Sequence, residues 1–219
     1  MNSKHAFWQA LVFAIVVFGI GLILGFFLES YRADRVQFNL MDSEINILDD
    51  QIRNRIIGEF DIDCDIAVQS TFDFADKIYR EAVKLESYDS ASKVSDSFLI
   101  LHRRYDLLRT LLWVDSVKLR EECESDFHTV VYFYDYGTED IDIRSKQLFY
   151  SRLLLDLKNK YPQQVILIPI AIDTNLESVD LLVENFGVEE FPSIVVDERD
   201  VINEVITFEE FENIVFGKI

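Results

Sequence analysis

Asn185-Phe186-Gly187-Val188-Glu189-Glu190-Phe191-Pro192-Ser193-Ile194-Val195-Val196 contains a helix stop, a proline-constrained loop and a buried strand in succession. Gly187 ends a helix by adopting backbone angles that other residues resist, so the preceding Leu176 to Phe186 is predicted to be a short helix. Pro192 constrains the residue before it, and Ser193-Ile194-Val195-Val196 reads as a core strand. Working toward the N-terminus, Asp173 to Asn175 is a turn and Gln164 to Ala171 an apolar strand. Ile143 to Tyr161 is a helix ended by Pro162, with Leu148, Leu153, Leu154 and Leu157 as core candidates. His128 to Tyr134 is a β-branched and aromatic strand. Toward the C-terminus, Asp197-Glu198-Arg199-Asp200 turns into a strand over Val201 to Ile206. Thr207 with Glu210 then forms a capping box that opens the last helix.

The resulting order, β-α-β-α-β-β-α over Phe127 to Ile219, resembles the thioredoxin family, and the Asn185–Val196 stretch is the most specific match. The resemblance implies an α/β thioredoxin-like C-terminal domain (126–219). It also implies a cis peptide at Phe191–Pro192; an ordinary trans proline before a strand is the alternative. In the family that proline sits beside a catalytic disulfide. Active members carry Cys-x-x-Cys just after the first strand, where the N-terminus of the following helix lowers the thiol pKa. This chain has Asp135-Tyr136-Gly137-Thr138-Glu139-Asp140-Ile141-Asp142 there, with no sulfur and four acids. Dithiol chemistry is excluded at that position, and no catalytic residue is assigned. What the resemblance leaves is a groove beside the proline loop where an extended peptide can pair with backbone. Its candidate lining is Tyr134, Tyr136, Phe191, Pro192 and Ser193; the alternative is that these aromatics pack the core or the loop.

At the other end of the chain, Ala6 to Leu28 holds no charge and one strongly polar side chain, Gln9. That is long enough to cross a bilayer, with Trp8 and Tyr31 placed for the interfaces. A transmembrane anchor is expected over 1–30, in preference to a cleaved signal peptide, because no small-x-small cleavage site follows. Gly21 and Gly25 have the spacing of a transmembrane dimer face and admit a homo-oligomer. The segment 31–125 is expected to be an α-helical stalk and hairpin. Phe38, Met41, Ile45, Leu48, Ile52 and Ile56 define one helical face, interrupted at Gly58. Ala67, Thr71, Phe74, Ile78, Ala82 and Leu85 define a second; Phe98, Leu101, Tyr105, Leu108, Leu112 and Leu119 a third. Ser87 to Ser97 is the connecting turn. His102-Arg103-Arg104-Tyr105-Asp106 reads as the charged face of the third helix. Cys64 and Cys123 extend the apolar faces of the second and third helices. An antiparallel hairpin brings them to one open end, as a disulfide contributing roughly 3–4 kcal/mol or as two buried free thiols. A disulfide favours an extracytoplasmic C-terminal domain.

The chain carries 40 acidic and 21 basic residues, a formal net charge of −19. Such a polyanion is repelled by nucleic acid, which is excluded as a partner. The three histidines are dispersed and no metal-ligand spacing is present, so neither metal nor cofactor is expected. The expectation is a single-pass membrane protein that is not an enzyme and that binds or scaffolds a protein or peptide partner. The alternatives are a thiol–disulfide oxidoreductase using Cys64 and Cys123, and a structural subunit of a membrane complex.

Overall fold

The computed structural model describes residues 3–60, 62–89 and 96–217, which form two compact units, Met1–Asp49 and Asp50–Ile219. The first unit lies within helix α1 (Ser3–Glu59), whose Phe7–Ser30 stretch of 24 residues is long and apolar enough to cross a membrane. Gly21 and Gly25 fall inside that stretch. Helix α1 ends at Glu59, one residue after Gly58, where the apolar pattern is interrupted. Ile45, Leu48, Ile52 and Ile56 are all exposed. The side chains of Phe38 and Met41 lie outside the described residues.

In the second unit, α2 (Cys64–Asp89) and α3 (Asp96–Cys123) bury the faces their periodicity marks. Ala67, Thr71, Ile78 and Ala82 are buried on α2, and Leu101, Tyr105, Leu108, Leu112 and Leu119 on α3. Residues 90–95 of the expected turn lie outside the described residues. Arg53 reaches from α1 to donate to Thr71 Oγ1 at 3.0 Å, with its guanidinium 5.2 Å from the centre of the Phe74 ring.

The sheet comprises β1 (His128–Tyr134), β2 (Val165–Ala171), β3 (Ser193–Val196) and β4 (Asp200–Ile202) in the order β2-β1-β3-β4. β1 is parallel to β2 and antiparallel to β3, which is antiparallel to β4. The fold is mixed α/β, with helices α4 (Ile141–Lys160), α5 (Glu177–Asn185) and α6 (Phe208–Phe216) following β1, β2 and β4.

Alternation along the strands supplies both faces of the sheet with a core. Val130 and Tyr132 share one cluster with Tyr150, Leu153, Leu154 and Leu157 of α4 and Phe211 and Val215 of α6. Phe133 points the other way, to Trp113 of α3, which also packs on Phe186 at the end of α5. α3 thus takes the face that α4 and α6 leave open. Leu148, a core candidate, is 56% exposed. It sits on the side of α4 opposite Tyr150, which is fully buried and donates its hydroxyl to Glu204 O at 2.7 Å.

That same bond occupies a carbonyl in the segment expected to extend the last strand, and β4 ends at Ile202. α4 begins two residues before its expected start, because Asp140 accepts from the N–H groups of Asp142 and Ile143 and caps the helix. The Thr207–Glu210 capping box is present. Gly187 ends α5 with φ at 62°.

Candidate functional site at the carboxyl ends of the central strands

β1 and β2 end side by side at Tyr134 and Ala171, and β3 begins next to them with Ser193 opposite Phe133. Three loops therefore meet at one edge: Asp135–Asp140 after β1, Ile172–Leu176 after β2, and the proline loop before β3. In open α/β sheets, ligands bind outside the carboxyl ends of the strands.

The loop after β1 is held by main-chain contacts. Tyr136 N–H and Gly137 N–H donate to Asp173 Oδ1 and Oδ2 at 2.9 and 2.7 Å, and Gln147 Nε2 donates to Asp135 O at 2.9 Å. Partial burial, then the charge and hydrogen bond of Asp173, push the Asp135 carboxyl above its usual range.

The second wall comes from α3. Asp106, with 0% exposure, accepts from Ala171 N–H at 3.3 Å, from Thr174 Oγ1 at 3.4 Å and from Arg109 Nη1 at 3.2 Å. Burial raises its carboxyl to about 6, against the opposing charge of Arg109. His102 packs on Tyr136 with ring centres 4.0 Å apart and planes tilted by 38°, and Arg103 donates to Asn175 O at 3.2 Å. Helix α3 thereby grips both the loop after β1 and the turn after β2.

The candidate groove residues are not brought onto one wall. Tyr134 stacks on Tyr132 at 5.5 Å, on the sheet face covered by α4 and α6. Phe191 lies on the opposite face, 6.5 Å from Phe133, and is half-buried. The Phe191–Pro192 peptide is cis; Pro192 and Ser193 are buried. Tyr136 is the exposed aromatic of the set. Among the described residues no cluster of three or more His, Cys, Asp or Glu side chains is arranged to hold a metal.

The chain matches no protein-family model and no curated protein.

Cys64 and Cys123 lie at disulfide distance, with their Sγ atoms 2.04 Å apart. Neither is buried: Cys64 is exposed and Cys123 half-buried, because both stand at helix ends, outside the packed interface. Cys123 leads into the amino end of β1, whereas Pro192 adjoins the carboxyl end. The sulfurs and the proline are therefore at opposite ends of a seven-residue strand, on the order of 20 Å apart.

Sequence reasoning missed His102, Asp106, Arg109 and Thr174, and it gave Asp173 no role beyond the turn. His102 and Asp106 read as part of a charged helix face and Arg109 drew no reading, yet all three are buried. A signal was present: steps of four, three and four residues lead from His102 through Asp106 and Arg109 to Trp113, a residue too large and apolar to expect on a wholly hydrated face.

Proposed function

We propose that this chain is a membrane-tethered, thioredoxin-like binding protein whose carboxyl-end crevice holds an extended polypeptide segment without exchange chemistry. The observation that carries this reading is the separation of sulfur from the crevice. The segment after β1 contains no cysteine, and its Tyr136 and Gly137 N–H groups are engaged by Asp173. Cys64 and Cys123 lie at the far end of β1, so their pairing joins α2 to α3 and has no route to a substrate beside Pro192.

Element order supports the family reading, since β1-α4-β2-α5-β3-β4-α6 is the thioredoxin order. The long apolar helix supports the tether. The bonded cysteines support placing the second unit in an oxidising, extracytoplasmic compartment. Within the crevice, exposed Tyr136 backed by His102 offers a firm aromatic contact, and main-chain pairing requires no catalytic group.

The test is site-specific photocrosslinking in the native membrane. A photoreactive aromatic amino acid at position 136 is expected to trap a polypeptide, while the same probe at Leu155, exposed on the outer side of α4, is not. Equal trapping at both positions, or none at 136 with the fold intact, refutes the crevice as the binding site. Insulin reduction by the purified full chain above background would establish the oxidoreductase instead.

A further inference from the structure

Ile45, Leu48 and Ile52 on helix α1 are 63%, 57% and 55% exposed, so the fold leaves them in water. In sequence they continue a spacing of three and four that begins at Phe38 and Met41. An apolar residue about every 3.5 positions is the period of a coiled-coil seam. Phe38, Ile45 and Ile52 take its a positions, and Met41 and Leu48 its d positions. A face meant for a globular core carries a further apolar position per heptad. Here the flanking e and g positions are Asp42, Glu44, Asp49 and Gln51. Arg53, through which α1 holds α2, falls at b on the outer side of the helix, and the seam stays open at Ile52.

We propose that α1 pairs with α1 of a second copy of this chain, parallel and in register, through the seam from Phe38 to Ile52. A β-branched Ile at a with Leu at d favours two parallel strands, and Ile45, Leu48 and Ile52 supply that combination. The direction follows from the tether in the proposed function, on which this pairing rests; it does not rest on the crevice. One helix runs from the Phe7–Ser30 stretch through the seam, so copies held in one bilayer present it in the same direction and at the same height. An unrelated helix has to match that height from an anchor of its own. Two heptads are fewer than the roughly three to four that mark a self-sufficient coiled coil. Confinement to a membrane supplies the effective concentration that the short seam lacks.

Charge bounds the seam. Asp34 and Arg55 take the d positions before and after it. Arg55 at d and Glu59 at the following a are both exposed, and these positions meet across a parallel pair with opposite charge. Within the seam, Glu44 at g meets the e position of the second copy, which is Asp49. That like-charge pair weakens the association at low salt.

The test is cysteine crosslinking of the full chain in its native membrane, with Cys64 and Cys123 left bonded. Under a mild oxidant, a product of twice the chain mass is expected in Ile45→Cys, Leu48→Cys and Ile52→Cys. It should be about fivefold weaker in Ile47→Cys and Asp50→Cys, which fall at c and f. Adding Glu44→Lys to Leu48→Cys is expected to raise the dimer about threefold at low salt, with the gain lost at high salt. No dimer, yields that ignore the seam period, a product of another mass at the three seam positions, or no gain from Glu44→Lys overturns the pairing. Carbonate extraction of the same membranes reads the tether separately. Chains that resist extraction yet form no dimer refute the seam alone, whereas chains that wash off refute the tether and the seam with it.

Discussion

Arg120 reaches from α3 to the β3–β4 turn, where it pairs with Asp197 at 2.6 Å and with Glu198. Asp197 and Glu198 both have positive φ, at 48° and 59°, and Arg199 N–H closes the turn on Val196 O. Two successive left-handed residues make the tight hairpin that matches strand twist, but without glycine they are uncommon. Their carboxylates offset the backbone cost by bonding to Arg120, His128, Thr129 and the Trp113 indole. Arg120→Met leaves two partly buried acids without their guanidinium, and a loss of about 2–3 kcal/mol is expected in urea unfolding. A loss indistinguishable from surface substitutions would show that the network is idle. Asp197 also sets a pH dependence. Burial alone would raise its carboxyl, but the His128 hydrogen bond and charge, the Thr129 N–H and Arg120 outweigh it and hold the group below 3.8. Its contribution is present in full above 3.8 and lost as pH falls through the lower folded value, opposite in sign to that of Asp106. Urea midpoints from about pH 2 to about pH 5 should therefore fall less steeply on acidification in Asp197→Asn than in the wild type.

Elements α2 and α3 are fastened at one end by Cys64 and Cys123, 59 residues apart in sequence. Lys158 of α4 attaches α2 to the sheet instead, lying 5.5 Å from the Phe72 ring while donating to Val165 O of β2 at 3.0 Å. Replacing both cysteines by serine is expected to lower stability by roughly 3–4 kcal/mol through the longer-ranging unfolded chain, with helical circular dichroism retained at low temperature. Unchanged stability would show that packing of Leu108 and Leu112 suffices. These elements were legible because each buries one stripe, and apolar spacing records a stripe directly. The strands were legible for the same reason, from continuous apolar runs buried on both faces. The rest was not, because it depends on contacts between distant segments. Asp106 is polar in sequence and becomes a core group only when Ala171 and Thr174 arrive from another element. Leu148 is apolar and faces water, since the phase of α4 is set by Tyr150 and Leu157. The candidate groove divided because strand alternation sends Tyr134 to one face while Phe191 packs on Phe133 at the other.

At the scale of the whole chain, the segment long and apolar enough to cross a membrane and the folded core draw on separate residues. Among the described residues, the buried ones begin at Ala67, and none belongs to Met1–Asp49. Arg53, inside the second unit, reaches from α1 to Thr71 and Phe74 of α2. The sheet, both of its helical faces and the bonded cysteines are likewise encoded after Asp50. A core of this kind is a domain able to fold by itself, and the strong negative charge of the chain favours its solubility. The fragment 50–219 is therefore expected to be soluble without detergent and to unfold in one cooperative urea transition. Its midpoint should match that of the full chain in micelles, once the cysteines are oxidised in both. The full chain should partition into membranes and the fragment should not, because Phe7–Ser30 supplies the apolar length a bilayer requires. Aggregation of the fragment, or a broad transition with reduced helix content, would mean that the first unit contributes to folding as well as to anchoring.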